Sequence, residues 1–189
     1  MIKIRLEDDH GNCLYLTIEE RQAFLDMAKT KLSEVRTFAE TLVYTGCRIS
    51  EALEVTPAHV EQSNNLIALR SLKKRNLTVY RRVPVSPEYM DTLNITHRIR
   101  QTQMSIQRKV PLWKWTRQYS STDIIKVLMI EAGIPEAAHR TAKGLRHAYG
   151  VAAMGTHVRV THQYYSKKSP PSRMSFLLKL MPDNSPAQN

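Results

Sequence analysis

Cysteine is nearly missing from this chain: Cys13 and Cys47 are the only two among 189 residues. Two thiols make no disulfide framework at this length, and they point to a reducing compartment. No Cys/His spacing fits a zinc site. Long apolar runs are lacking too, and none reaches the length that crosses a bilayer. The opening "MIKIRLEDDHGN" has no apolar stretch of the kind a secretory signal needs. Acidic residues are outnumbered, 17 against 28 Lys and Arg, for a net charge of +11. A surplus of that size favours a polyanionic partner, with nucleic acid ahead of an anionic membrane surface. The depletion is sharpest in "KGLRHAYGVAAMGTHVRVTHQYYSKK", Lys143 to Lys168, which holds three histidines, a tyrosine pair and no acidic residue. Tyrosines in a core have apolar neighbours, whereas a tyrosine among Arg, Lys and His is placed to meet a phosphate.

What is present suits a globular protein. Hydrophobic residues make up 42% of the chain, enough for one sizeable core. "TIEE" is a capping box, with Thr17 as N-cap and Glu20 three residues on, and a helical apolar pattern follows. A second helix is expected over "VRTFAETLVYTG", stopped by Gly46. A short third, "RISEALEV", ends before Pro57. Asn64-Asn65 is a turn. "LIALRSL" and "LTVYRRVPV" then read as two antiparallel strands, Leu66–Leu72 and Leu77–Val85, around the basic turn "KKRN". "SPEYMDTLNITHRIRQ" predicts one helix with Ser86 as N-cap and Pro87 at its first position. Further helices are expected over "STDIIKVLMIEAGIP", stopped by Gly133, over "TAKGLRHAYGVAAM", at least from Leu145, and over "SRMSFLLKLM". No internal repeat or long linker appears. The expectation is one mainly α (α+β) domain over residues 1–181, with a small hairpin and a disordered tail over 182–189.

Four short segments stand out for their chemistry, and each has a plain alternative. Arg48 follows a helix-stopping glycine, and it could simply pair with Glu51 or Glu54. Lys73 and Lys74 sit in a hairpin turn, where lysines are ordinarily solvated. Arg146 and His147 could be a surface pair at a helix start. Tyr164 and Tyr165 could be core or part of an interface. Trp113 and Trp115 in "PLWKWTRQYS" could stack on bases, but packing under the following helix is the better expectation.

Taken in order, these segments resemble the tyrosine recombinases, or phage-type integrases, over nearly the whole chain and as that family's catalytic domain. "TLVYTGCRISEALEV" resembles the first arginine box and implies Arg48 as a catalytic residue. "LIALRSLKKRNLTVYRRVPV" resembles the hairpin whose turn carries a catalytic lysine, best matched by Lys73 with Lys74 beside it. "KGLRHAYG" resembles the third box and implies Lys143 and Arg146. In "MGTHVRVTHQYYSKKSPP", Gly155 precedes Tyr165 by the family's ten positions, which implies Tyr165 rather than Tyr164 as nucleophile. Lys74, Arg75, Arg81 and Arg82 are the further DNA contacts expected.

The chemistry implied by the resemblance accounts for the residue types. A phosphodiester under attack gains negative charge on its non-bridging oxygens, and two guanidiniums can donate paired hydrogen bonds to them. Tyrosine supplies a nucleophile whose pKa of about 10 must be offset by a base or by positive charge. A lysine can protonate the departing sugar oxygen. The resemblance implies cleavage and rejoining of DNA through a 3'-phosphotyrosine, with no metal or other cofactor. It implies double-stranded DNA as partner, leaves open a homo-oligomer on that DNA, and gives a cytoplasmic, nucleoid-associated location with no membrane partner.

The chain departs from the family's pattern at two places. The family has His or Trp directly after the glycine of its last box, whereas here Thr156 follows Gly155 and His157 comes one residue later, making His157 the candidate for that role. The family also sets a whole helix between the third-box arginine and that glycine, whereas Arg146 and Gly155 are nine positions apart. These departures motivate a second reading, a DNA-binding relative with weak or no cleavage that occupies or regulates recombination sites. A relaxase or topoisomerase ranks third, because a relaxase would show a histidine-rich metal site. The family's members carry a further N-terminal DNA-clamping domain, so the chain is either a one-domain member or part of a longer protein.

Overall fold

Thr17 sets the first helix. Its hydroxyl accepts from the Glu20 amide at 3.2 Å, and the Glu20 carboxylate accepts from the Thr17 amide at 2.9 Å. This reciprocal cap starts α1 (Ile18–Lys29), which buries Phe24, Leu25 and Ala28. The computed structural model describes residues 6–71 and 79–154.

Helix α2 (Ser33–Thr45) is the centre of the domain. It is buried from Thr37 to Val43, and α1, α4 (Pro87–His97) and α8 (Ala142–Met154) all pack on it. Trp113 closes one end of this core. Its ring meets Phe38 edge-on at 5.3 Å, and its indole N–H donates to the Glu34 carbonyl at 3.0 Å. Trp115 also meets Phe38, at 5.4 Å. The tryptophans are therefore packing residues, as expected. Trp113 packs on α2 rather than under the following helix, and Trp115 touches both, because it also meets Tyr119.

Gly46 ends α2 in the left-handed region, with φ +58°. Cys47 and Arg48 turn the chain, and helix α3 (Ile49–Leu53) starts directly after Arg48. The sheet has three antiparallel strands in the order β1 (Val60–Glu61), β2 (Leu66–Arg70), β3 (Tyr80–Pro84). Strand β1 was not anticipated, since two residues carry too little pattern to read. The register pairs Ile67 with Val83 and Leu69 with Arg81. The strands are shorter than expected, and the turn residues 72–78 lie outside the described residues.

Ser86 caps α4 by accepting from the Tyr89 amide at 3.1 Å, with Pro87 at the first position. The single helix expected here is broken. Arg98 adopts φ +50°, and α5 (Ile99–Gln103) leaves in a new direction. The side chain of Asn94 takes part in the break by accepting from the Arg100 amide at 3.0 Å. Nothing in the local sequence signals it, since arginine is a good helix former.

The next rod begins earlier than expected, at Thr116, whose hydroxyl caps α6 (Arg117–Tyr119). It continues through a π-wound turn over Ser120–Ile125 into α7 (Lys126–Glu131). Gly133, at φ +72°, follows its end. Helix α8 opens with Gly144 pressed against the preceding turn, where an added Cβ would lie 1.9 Å from the His139 carbonyl oxygen. His139 in turn meets the α1 capping residue Glu20 at 3.0 Å. The mainly α architecture with a small antiparallel sheet agrees with the sequence expectation. The expected helix over "SRMSFLLKLM" and the tail lie outside the described residues. No helix among the described residues is long and apolar enough to cross a membrane.

Candidate anion-binding site

The site is built around a buried carboxylate. Glu51, on α3, is 1% exposed. One oxygen accepts from the Arg48 guanidinium at 2.7 Å. The other accepts from the Arg81 guanidinium at 3.0 Å and from the Arg48 amide at 3.1 Å. Burial works to raise the Glu51 pKa, but the Arg48 amide and the two guanidiniums outweigh it and hold the carboxyl below its ordinary range. Glu51 therefore stays ionised and fixes two cations at once.

Local sequence explains the placement of each partner. Gly46 turns the chain at the end of α2, so Arg48 falls at the N-cap of α3, with Glu51 three residues on and within reach. Arg81 is opposite Leu69 and in step with Val83, so the pleat directs it to the same face as these buried residues. Arg82, one residue on, goes to the other face, where it is 68% exposed and 3.7 Å from Glu61.

The third guanidinium comes from α8. Arg146 is half-buried, and burial lowers its pKa first, followed by the positive charges of Arg48 and Arg81 and opposed by Glu51. Arg48 and Arg146, almost a hundred residues apart in sequence, thus act on each other through their charges. Cys47 shares this environment. Burial pushes its thiol up to about 11, so it remains protonated and unreactive near neutral pH. Three guanidiniums against one carboxylate leave two positive charges. Such a site can bind a tetrahedral anion by charge-assisted hydrogen bonds.

The other candidates divide as follows. Lys143 is exposed on the first turn of α8, and its charge, after burial, helps lower the pKa of His147. His147 is directed away to the Leu14 carbonyl, 3.2 Å distant. Lys73, Lys74 and Arg75 lie outside the described residues, as do Gly155, Thr156, His157, Tyr164 and Tyr165. Among the described residues, no group of His, Cys, Asp or Glu could hold a metal ion.

Sequence reasoning missed two features of the site. Glu51 appeared only as an alternative partner for Arg48, not as a shared anchor. Arg81 was grouped with Arg82 as a general DNA contact. The strand's period of two could have separated them, because Arg81 is in step with Val83 and Val85.

No family model matches the chain, and no curated protein matches it. Solved structures do. XerA recombinase matches with TM-score 0.59 at 20% identity, covering 88% of this chain and 63% of that one. The integrase from mycobacterium phage Brujita matches with TM-score 0.60 at 16% identity, covering 93% and 60%. XerH site-specific recombinase, bound to a palindromic difH substrate in a post-cleavage complex, matches with TM-score 0.62 at 17% identity, covering 90% and 50%. At these identities the likeness is one of fold, and the fold is that of the tyrosine-recombinase catalytic domain. The chain spans between half and under two thirds of the length of these three structures.

Proposed function

We propose that this chain is a tyrosine-type recombinase that cleaves and rejoins DNA at a specific site. The observation that supports the reading is that Arg48 pairs with buried Glu51 while Arg146 is near enough to feel the charges of both, with a surplus of positive charge. A phosphodiester held there would have its non-bridging oxygens facing guanidinium donors. Removing one preorganised donor of this kind costs roughly 3–4 kcal/mol at the transition state.

In the proposed reaction the Tyr165 hydroxyl passes its proton to a nearby base, for which Lys143 and His157 are the candidates, and its oxygen bonds to phosphorus. The bond from phosphorus to the 5' sugar oxygen breaks, and that oxygen takes a proton from Lys73, with Lys74 the neighbouring candidate. The 3'-phosphotyrosine so formed keeps the energy of the broken bond, and the reverse attack by a sugar hydroxyl rejoins the strand. Lys143 and His157 complete the proposed set of catalytic residues. Lys74, Arg75, Arg81 and Arg82 are the proposed DNA contacts. The proposed partner is double-stranded DNA, on which copies of the chain could assemble. No cofactor enters the proposed reaction.

The test is covalent capture. The chain is incubated with a pool of nicked duplexes randomised around the nick, so that the cut fragment diffuses away and traps any adduct. Recovery of protein-linked DNA supports the reading. A second reading, a DNA-binding relative without cleavage, is favoured by the nine-position interval from Arg146 to Gly155 and by Thr156. Duplex binding with no adduct from any member of the pool would decide for it.

A further inference from the structure

We propose that Arg81 is a third phosphate-contacting residue of this site, donating to a non-bridging oxygen of the same phosphoryl group that Arg48 and Arg146 hold. The inference rests on the reading of the site as a phosphoryl-transfer centre.

The first argument is geometric. Glu51 gives one oxygen to each guanidinium, so neither Arg48 nor Arg81 is engaged in a two-pronged fork with it. A guanidinium has five N–H groups, and each arginine therefore retains donors. Both side chains are 38% exposed, so those donors can be reached from solvent. The buried carboxylate anchors them from beneath.

The second argument concerns charge. A cation placed only to neutralise Glu51 would be redundant, because Arg48 already does so at 2.7 Å. Adding Arg81 and Arg146 leaves two positive charges, and in an empty site these repel each other. That repulsion contributes to the lowered pKa of Arg146, after burial. An arrangement that is unfavourable when empty is relieved by a bound anion. A phosphodiester carries one negative charge at rest and gains more as the nucleophile's electron pair arrives. A surplus of two thus matches the reacting state better than the resting one, which is the condition for accelerating a reaction.

The third argument is the contrast within one dipeptide. Arg81 and Arg82 have the same chemistry and adjacent positions, yet only Arg81 is on the face that meets Glu51. The pleat, rather than charge alone, therefore selects Arg81 for the site.

The sequence-independent test is titration of inorganic sulfate into the chain, followed by calorimetry. Arg81→Gln should weaken sulfate binding by about tenfold, to a degree comparable with Arg146→Gln, while Lys29→Gln, at an exposed lysine at the far end of α1, leaves it unchanged. Arg81→Lys, which keeps the charge, should fall between. Thermal melting of each variant without sulfate verifies that the fold is kept. Sulfate affinity in Arg81→Gln equal to that of the unmodified chain would overturn the proposal.

A second arm uses any duplex captured by the covalent assay. Arg81→Gln should slow adduct formation by about a hundredfold on the natural diester. On a methylphosphonate at the scissile position, where one charged oxygen is replaced by a neutral methyl, that deficit should shrink. A merely structural role would give the same deficit on both substrates and would overturn the proposal. If no duplex yields an adduct with the unmodified chain, the recombinase reading fails by itself, and the sulfate titration still decides whether Arg81 is an anion ligand.

Discussion

The ring of Tyr149 lies directly over Gly46, so close that a Cβ on the glycine would be 2.3 Å from the tyrosine Cδ1. Tyr149 is three residues after Arg146 on α8, and Gly46 is two residues before Arg48. This contact joins the turn that carries Arg48 to the helix that carries Arg146. Gly46 is required twice over: it occupies left-handed backbone space, and it leaves room for the ring.

Replacing Gly46 with Ala should destabilise the chain by more than the 1–2 kcal/mol that left-handed backbone costs an L-residue, because the ring must also move. Sulfate affinity should fall with it. The loss should be smaller when Gly46→Ala is made in a Tyr149→Ala background, since the collision is then gone. Chemical denaturation of the four proteins in this cycle measures the difference. Strictly additive losses would show that the ring contact adds nothing to the cost.

Glu51→Gln should lower stability by about 2 kcal/mol in the absence of anions, the scale of a hydrogen bond to a charged group. It leaves three guanidiniums without their shared counter-charge. Added sulfate should then raise the melting temperature of the variant more than that of the unmodified chain, because the anion takes over the neutralising role. In the unmodified chain Glu51 has a lowered pKa in the folded state. Its contribution is therefore present above the ordinary carboxylate range and is lost as pH falls through and below that range.

His97 gives a separate pH dependence. Its ring is within 3.0 Å of the Thr37 hydroxyl and meets Trp113 edge-on at 5.2 Å, and burial lowers its pKa to about 4. The unfolded chain takes up this proton near pH 6.5, well before the folded chain does. Stability is thus complete above about pH 6.5 and declines as pH falls toward 4. His97→Gln should reduce this decline, read as the difference between two denaturation series across that range. Parallel series would contradict it.

On the proposed reading, the adjacent tyrosines are not equivalent. Tyr165→Phe should abolish the covalent adduct while duplex affinity stays within about twofold, since a single hydroxyl is removed and surface substitutions of that size act by about 0.5 kcal/mol or less. Tyr164→Phe should leave the adduct intact. The reverse pattern would transfer the nucleophile's role to Tyr164.

Duplex binding, measured by fluorescence anisotropy, should weaken steeply between 50 and about 200 mM salt, because each neutralised phosphate releases counterions. The basis is the net charge of +11. Arg82→Gln should lower the salt slope by about one unit. An affinity that is flat across this range would exclude backbone electrostatics as the main attraction.

Local signals determined much of this protein. The Thr17–Glu20 box, the Gly46 stop, the Ser86-Pro87 start and the Gly133 stop each depend on a few neighbouring residues, so the sequence alone placed those helix ends. The strand-forming residues of Leu66–Leu72 and Leu77–Val85, on either side of a basic turn, likewise announced the hairpin. The break at Arg98 could not be read this way, because a side chain from the preceding helix, Asn94, helps hold it. The pairing of β1 with β2 and the packing of Trp113 on Phe38 also depend on partners distant in sequence. The site divides in the same manner. Arg48 and Arg146 were singled out through resemblance to a known pattern of motifs. That Arg81 shares Glu51 with Arg48, so that one carboxylate anchors two guanidiniums, was decided only in three dimensions. A carboxylate becomes a shared anchor when α3 and β3 bury it between them, and burial is a property of the packed chain rather than of any segment of it.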